Sequence, residues 1–194
     1  MTADGKVQVI ACGALAREIL AICALNDMQH VELTCLPAEL HNTPDKIAPR
    51  LAEMLAQNPQ GYSARFVAYA DCGSGGEIAK TCATYGARMI EGPHCYAFFE
   101  GNQSFSARGE VTSFYLTDFL ARQFDAFVIK PLGLDRHPEL TQIYFGNYEK
   151  LVYLAQTDDP ALTQAAEQAA ARLNLHFERR FTGYGDLATA LAEV

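Results

Sequence analysis

Three cysteines far apart in the sequence occupy equivalent positions in the predicted secondary structure. Cys12 follows the apolar run VQVIA, Cys72 follows ARFVAYAD, and Cys95 follows RMIEGPH, so each comes where a predicted strand has ended. In a parallel α/β sheet these strand ends share one edge, and such sheets bind their ligands at that edge. The spacing therefore predicts that three thiols converge on one crevice.

The chemistry that three convergent thiols support is the binding of a soft metal ion. Thiolates select zinc, cuprous copper or iron–sulfur clusters, and zinc takes three or four Cys and His ligands. His41 follows the second predicted strand, so we favour it as fourth ligand over His94, which could share a metal with its neighbour only through an awkward backbone. The predicted metal ligands are Cys12, His41, Cys72 and Cys95. Zinc with an open fourth position is the favoured interpretation, and a 4Fe–4S cluster on the same thiols is the competing one.

Glycines adjoin two of these cysteines and are the candidate cofactor-binding residues. They are Gly13, after the first strand, and Gly73, Gly75 and Gly76, in the turn between the third strand and its helix. In such a turn, backbone N–H groups can bind a phosphate or a carboxylate. The segment DCGSGGEIAK matches neither nucleotide-binding fingerprint, so a tight turn that orients Cys72 is the alternative role.

A catalytic thiolate without a metal is a second way to use these residues. Cys72 beside Asp71 at a helix N-terminus, or Cys95 beside His94, could have a lowered pKa. Adjacent side chains of an extended segment point to opposite faces, so His94 is not automatically the base for Cys95. The remaining cysteines lie inside predicted helices or a strand, where packing is their expected role; they are Cys23, Cys35 and Cys82.

The elements that must position these residues alternate between strand and helix. Strands are predicted near residues 7–11, 31–36, 64–70 and 88–91, each followed by a helix signal. A loop over 102–109 and a helix in FYLTDFLARQFDAFVIKPLG come next. A helix, the strand LVYLAQT, an alanine-rich helix through Leu173, the strand HFERRFTG and a short helix complete the chain. This order predicts one α/β domain over residues 1–194, a three-layer sandwich with a mainly parallel sheet and Rossmann-like β-α units.

Composition limits the classes of function. The 194 residues are 49% hydrophobic and show no signal peptide or long apolar span, so we expect a cytoplasmic protein that does not enter a membrane. Cytoplasmic thiols stay reduced, so a disulfide framework is not expected. The net charge of −8, without a Lys/Arg cluster, argues against a nucleic-acid partner. Base rates for soluble oligomers favour a homodimer.

Four segments in order, CGALARE, LHNTP, YADCGSGG and GPHCYAFFEG, resemble the bacterial and archaeal family catalogued as domain of unknown function 1638. The family pattern has a Cys-Gly after the first strand, a Leu-His followed by Pro, a Cys-Gly after the third strand, and an Asp-Cys or His-Cys before an apolar Gly segment. These features fall on Cys12, on His41 with Pro44, on Cys72 and on Cys95. The stretch FYLTDFLARQF resembles a tyrosine-rich stretch of the family, which in many members ends in a Trp-containing turn that this chain lacks.

The resemblance implies a place in one-carbon metabolism, because family members are often encoded near corrinoid-dependent methyltransferase systems. A zinc-thiolate methyltransferase acting on a small-molecule substrate suits that setting, since zinc activates a thiol for alkyl transfer as a Lewis acid. The alternative is a non-catalytic accessory module that binds a corrinoid, an iron–sulfur cluster or a small ligand, with a corrinoid protein as partner. The acidic composition and the aromatic segment 98–127 motivate this alternative.

Overall fold

The structure is a computed structural model that describes residues 5–57 and 61–194. Within these residues all strand pairs are parallel and helices flank the sheets. The strands are β1 (Lys6–Cys12), β2 (Val31–Leu36), β3 (Tyr62–Ala68), β4 (Arg88–Met89), β5 (Ser113–Leu116), β6 (Lys150–Ala155) and β7 (His176–Phe181). The α-helices are α1 (Ala16–Leu25), α2 (Ile47–Ala56), α3 (Glu77–Tyr85), α4 (Ala97–Glu100), α5 (Asn102–Arg108), α6 (Asp118–Arg122), α7 (Leu140–Phe145), α8 (Pro160–Leu173) and α9 (Gly185–Ala192).

The chain divides into two compact units, each built on its own sheet. The first comprises the described residues up to Asn102 together with Tyr184–Val194, and the second comprises Gln103–Gly183. The strand order is β2-β1-β3-β4 in the first sheet and β5-β6-β7 in the second. The α/β class is therefore confirmed, with parallel sheets flanked by helices as in a three-layer sandwich. The single sheet that we predicted is two sheets, whereas the single domain over 1–194 stays a prediction.

The first sheet places β1 at its centre. β1 pairs with β2 on one side and with β3 on the other. Its residues Val9, Ile10 and Ala11 are fully buried, as expected for a strand with neighbours on both sides and helices on both faces. The strand order reverses direction beside β1, so the carboxyl ends of β1 and β3 flank the point where doubly wound sheets open a crevice.

The second sheet has β6 at its centre and α8 packed against it. The residues from Leu151 to Ala155 are fully buried. α8 begins at an Asp159 side chain that accepts a hydrogen bond from the Ala161 N–H (2.8 Å), with Pro160 in the first turn. It ends at Asn174, which takes the left-handed conformation typical of a helix C-terminus.

Two local predictions in the second half of the chain are wrong. The segment FYLTDFLARQF does not form one helix, because β5 occupies its first residues and Thr117, which caps α6, separates the two elements. Residues 102–109 are not a loop, because α5 covers most of them. The missed strand β5 is the reason that the second sheet was not predicted. Among the described residues, no helix combines the length and the apolar character that crossing a membrane requires.

Candidate functional site

The three strand-end thiols lie together at the carboxyl edge of the first sheet. The Sγ atoms of Cys72 and Cys95 are 3.1 Å apart. Cys12, which ends β1, is close enough to interact electrostatically with both. Since β1, β3 and β4 are successive neighbours in the sheet, the loops after them open on the same edge. This is the convergence that the sequence predicted.

Two backbone hydrogen bonds bring Cys72 and Cys95 into contact. The N–H of Asp71 donates to the carbonyl of Gly92 (2.9 Å), and the N–H of Cys72 donates to the carbonyl of Pro93 (3.0 Å). The loop after β3 is thereby fastened to the loop that leads into Cys95. Cys72 has a φ of 48°, in the left-handed region that costs a non-glycine residue about 1–2 kcal/mol. Strain of this kind is concentrated at functional sites, which supports a role for this thiol.

The turn after Cys72 is organised around the Asp71 carboxylate. That carboxylate accepts hydrogen bonds from the N–H of Gly76 (2.6 Å), the hydroxyl of Ser74 (3.0 Å) and the N–H of Gly75 (3.3 Å). These donors, the Gly76 amide foremost, lower the pKa of Asp71. The Gly75 and Gly76 amides thus have a local partner in Asp71, which fixes the turn that follows Cys72.

The other two candidate glycines lie where backbone segments approach closely. A Cβ on Gly13 would come within 3.1 Å of the carbonyl oxygen of Leu36, at the end of β2. Gly73 has a φ of 82°, and a Cβ there would lie 3.6 Å from the Pro44 side chain. The segment after β2 therefore abuts the turn that carries Cys72. Ligand binding by Gly13, Gly73, Gly75 and Gly76 stays a prediction.

The three thiols differ in their ease of ionisation. A hydrogen bond from the Cys95 thiol lowers the pKa of Cys72. The same hydrogen bond, together with burial, raises the pKa of Cys95 well above its usual value. Burial raises the pKa of Cys12 to about 11. Cys72 is therefore the most readily ionised thiol of the cluster, and burial favours the protonated form of the other two.

Tyr69 is a candidate site residue that the sequence reasoning missed. It follows β3 and is 2% exposed, and its hydroxyl makes no well-formed hydrogen bond within the described residues, although it interacts with the Cys12 thiol. Burial, followed by the proximity of Cys12 and the hydrogen bond to its thiol, raises the pKa of this hydroxyl. A thiol is a weak acceptor, so this buried hydroxyl is still able to bind a stronger one. The signal that the sequence offered for this residue was a polar aromatic side chain at the end of a buried strand, three residues before Cys72.

The two candidate histidines lie near one another beside this cluster. His41 belongs to the 3-10 helix Ala38–Asn42 that follows β2, and His94 stacks on Tyr96 with ring centroids 4.9 Å apart. Desolvation lowers the pKa of His41, and desolvation followed by the charge of His41 lowers that of His94. Both imidazoles are neutral near pH 7, which is the form that binds metals. The choice between them as a ligand stays a prediction.

The side chains as they stand do not form a finished metal site. Over residues 5–57 and 61–194, no group of three or more His, Cys, Asp or Glu side chains is arranged to hold one metal ion. The 3.1 Å between Cys72 and Cys95 is also shorter than the separation of about 4 Å expected for two thiolates on one zinc. A metal would therefore have to separate these two sulfur atoms as it binds.

Of the remaining cysteines, Cys35 is close enough to Cys12 to interact with it electrostatically. Cys82 is buried in α3 and Cys23 is half-buried in α1, in agreement with packing roles. Cys35 is exposed on β2, which lies at the sheet edge, so the packing role predicted for it is wrong. Cys23 is the natural control for experiments on the three clustered thiols.

Comparison with known proteins identifies a family and nothing closer. Residues 35–191 match a family model described as a protein of unknown function, DUF1638. The matched range includes His41, Tyr69, Cys72 and Cys95, and begins after Cys12. No curated protein and no solved structure matches the chain.

Proposed function

We propose that this chain, which belongs to the DUF1638 family of proteins of unknown function, binds one zinc ion through Cys12, Cys72 and Cys95 and acts as a methyltransferase of one-carbon metabolism. The observation that carries the proposal is the cluster of three thiols, with 3.1 Å between two of the sulfur atoms. The buried hydroxyl of Tyr69, which interacts with the Cys12 thiol, supports it.

The protonation states of the cluster favour a cation as its ligand. Cys72 is the most acidic of the three thiols, and Cys12 and Cys95 retain their protons. A divalent cation replaces thiol protons when it binds, which removes the cost of burying thiolates without a counter-charge.

A zinc ion with three protein ligands keeps its fourth position for a substrate and activates a bound thiol for alkyl transfer as a Lewis acid. Around that position the chain supplies a hydroxyl donor at Tyr69 and two neutral imidazoles, His41 and His94. In the proposed reaction Tyr69 donates a hydrogen bond to the substrate or to a sulfur atom. His41 is the proposed fourth ligand when no substrate is bound. A small molecule is the proposed substrate and a corrinoid protein the proposed methyl partner.

The non-catalytic alternative receives less support from the structure. An accessory module that binds a corrinoid was motivated by the aromatic segment 98–127. Phe98 and Phe99 of that segment are buried core residues and are not available to a ligand. An iron–sulfur cluster on the same thiols is the other alternative, and the iron and sulfide content of the purified protein distinguishes it from zinc.

Elemental analysis of untagged protein purified anaerobically tests the metal. We expect one zinc per chain in the wild type and in Cys23→Ser, and loss of most of the metal in Cys12→Ser, Cys72→Ser and Cys95→Ser. Iron together with stoichiometric sulfide would show that the thiols hold an iron–sulfur cluster and not zinc. A metal-free wild-type protein, or full metal retention in all three variants, would contradict the proposal.

Methyl transfer is tested separately, with the metal-loaded protein and a methylated corrinoid as donor. We expect a thiol acceptor to be methylated by the wild type and by Cys23→Ser, and not by Cys72→Ser. A protein that retains its zinc and shifts its melting temperature with the corrinoid, but transfers no methyl group, would be an accessory module.

A further inference from the structure

A cavity in the second unit differs in charge from the rest of the molecule. It has a volume of about 410 Å³ and lies between α8 and the segment that contains α6 and the following turn. Its polar lining comprises Arg122, Lys130, Arg172, Gln123, Gln168 and Asp125. Three cations thus face a single carboxylate, in a chain whose net charge is −8. A concave surface lined by charges of one sign concentrates its field and attracts ions of the opposite sign.

The one carboxylate in the lining neutralises only one of the cations. Asp125 accepts a hydrogen bond from Nη1 of Arg172 (2.5 Å). A guanidinium has five N–H donors, so Arg172 retains donors for a second acceptor. Lys130 is exposed and its side chain belongs to no ion pair among those that the structure shows for the described residues. The excess positive charge of the cavity is therefore available to a ligand.

Arg122 is the least exposed of the three cations, with 23% of its side chain exposed, and its counter-ion is the fully buried Asp118 carboxylate. Its Nη1 is buried without a hydrogen-bond partner, and its Nη2 lies 3.8 Å from Oδ2 of Asp118. That carboxylate is already occupied by hydrogen bonds from Tyr153, Gln156 and Thr157. A desolvated guanidinium with an unmade hydrogen bond is unfavourable, and an anion in the cavity would relieve the cost.

The backbone beside the cavity is a π-helix, Asp125–Ile129. The N–H of Lys130 donates to the carbonyl of Asp125 (2.9 Å), which is the wide turn of this helix type. Such turns are rare and are frequent at functional sites. The apolar part of the lining consists of Phe124 and four alanines, whose small side chains leave the space open.

We infer that this cavity binds a small phosphorylated metabolite. Its phosphate groups would contact Arg122, Lys130 and Arg172, and its organic part would lie against Phe124 and the alanines. The volume falls in the range of about 300–1,000 Å³ typical of small-molecule sites. A phosphate offers three strong acceptor oxygens, one for each of the three cationic side chains, whereas a carboxylate offers two. The inference does not depend on the function proposed for the thiol cluster.

Titration calorimetry of the full chain with inorganic pyrophosphate tests the inference. We expect binding to the wild type, and binding at least about tenfold weaker in Lys130→Gln and Arg172→Gln, since a hydrogen bond to a charged group contributes about 1.5–3 kcal/mol. The matched control is Arg136→Gln, which removes an exposed arginine of the same unit that also pairs with an aspartate. That variant should bind like the wild type.

Introducing a negative charge into the lining provides a second test, one that disturbs no ion pair. Gln168 and Gln164 are both exposed on α8, and only Gln168 lines the cavity. Gln168→Glu should abolish pyrophosphate binding, whereas Gln164→Glu should leave it within about twofold of the wild type. Three results would overturn the inference: no binding of pyrophosphate to the wild type, equal effects of the two Gln→Glu substitutions, or sulfate binding as tight as that of pyrophosphate.

Discussion

The 3.1 Å contact in the thiol cluster joins its most acidic thiol to a less acidic one, and this pair has a redox chemistry of its own. Cys72 has a lowered pKa and lies 3.1 Å from Cys95. The thiolate is the form that attacks disulfides. With oxidised glutathione, attack by Cys72 would give a mixed disulfide and release one glutathione thiolate. Cys95, after losing its proton, would then displace the second glutathione and close a Cys72–Cys95 disulfide.

We therefore expect oxidised glutathione to convert metal-free protein to the Cys72–Cys95 disulfide, and we expect bound zinc to protect it. Mass spectrometry of peptides from non-reduced protein measures the product. Exclusive oxidation at Cys35, the exposed cysteine, would show that Cys72 is not the reactive thiol. Equal oxidation with and without zinc would show that the metal binds elsewhere.

Two buried tyrosines allow a matched test of the Tyr69 hydroxyl. Tyr69 and Tyr153 are both at most 2% exposed, but the hydroxyl of Tyr153 bonds the Asp118 carboxylate at 2.7 Å, whereas that of Tyr69 has a thiol, Cys12, beside it. Tyr153→Phe should lower the free energy of unfolding by about 1–3 kcal/mol, because the carboxylate loses a donor. Tyr69→Phe should cost less than about 0.5 kcal/mol, since a thiol is a weak hydrogen-bonding partner.

Urea denaturation of the metal-free proteins measures both effects, and zinc titration of Tyr69→Phe measures the functional one. We expect Tyr69→Phe to bind zinc but to transfer methyl groups more slowly than the wild type. If Tyr69→Phe destabilises the metal-free protein as much as Tyr153→Phe does, then Tyr69 already has a strong partner and does not mark a ligand site.

At the scale of elements, Asp118 connects the start of α6 with the end of β6. Its two carboxylate oxygens accept hydrogen bonds from the hydroxyl of Tyr153, the N–H of Gln156 and both the N–H and hydroxyl of Thr157. Its own N–H donates to the Gln156 side chain (2.7 Å). The carboxylate is fully buried, so its satisfaction depends on all of these donors.

Asp118→Asn should therefore destabilise the second unit by roughly 2–4 kcal/mol, because the new amide group would face donors of Thr157 or Gln156. The control is Asp125→Asn, which changes an exposed aspartate of the same segment. Urea denaturation followed by circular dichroism measures the difference. Equal midpoints for the two variants would mean that the Asp118 contacts do not stabilise the β5–β6 junction.

The sequence predicts an element well where its signals are local. β2 begins and ends at the predicted residues, because the periodicity of the sequence changes at both of its ends. α8 ends at Leu173 as predicted, because Asn174 caps it there. β5 was missed because its four residues continue without interruption into the apolar pattern of α6. In the sequence, Thr117 is the residue that could signal the boundary between β5 and α6. Its side chain caps α6 only once the backbone changes there from extended to helical.

The composition of the candidate site was predictable, but its internal geometry was not. The positions of Cys12, Cys72 and Cys95 follow from parallel topology, which puts their loops on one edge. The contact between two of them depends on hydrogen bonds between the loops after β3 and β4, and no spacing in the sequence reveals these. Tyr69 was missed for a similar reason, since the surroundings of its hydroxyl are a property of the packed structure.

The behaviour of the whole molecule in acid depends on a group of ion pairs in the second unit. Glu110 accepts hydrogen bonds from Arg180, Lys150 and Tyr115. Glu178 also accepts hydrogen bonds from Arg180 and Lys150. Partial burial alone would raise the pKa of Glu110. The three hydrogen bonds outweigh it and lower the pKa to about 2. An unfolded glutamate has a pKa of about 4.3, so unfolded protein binds a proton here more readily than folded protein does.

This difference sets the direction of the pH dependence. The stabilisation from Glu110 is complete above the unfolded pKa of about 4.3, and it is lost progressively as the pH falls from there towards 2. The loss amounts to at most about 3 kcal/mol, because each pKa unit corresponds to about 1.4 kcal/mol. Between pH 7 and 5 the chain, with a net charge of −8 at pH 7, approaches neutrality, so self-repulsion decreases there and does not mask the later loss.

Urea denaturation between pH 2.5 and 7 should therefore show a free energy of unfolding that falls steeply only below about pH 4.3. Glu110→Gln should be less stable than the wild type at pH 7 and should lose less stability between pH 4.3 and 2.5, since it has no proton to gain. Glu167→Gln, a change at an exposed residue of α8, should reproduce the wild-type profile. If Glu110→Gln and Glu167→Gln lose stability in parallel, then acid sensitivity arises from carboxylates elsewhere in the molecule, and the Glu110 ion pairs contribute no more than ordinary surface pairs do.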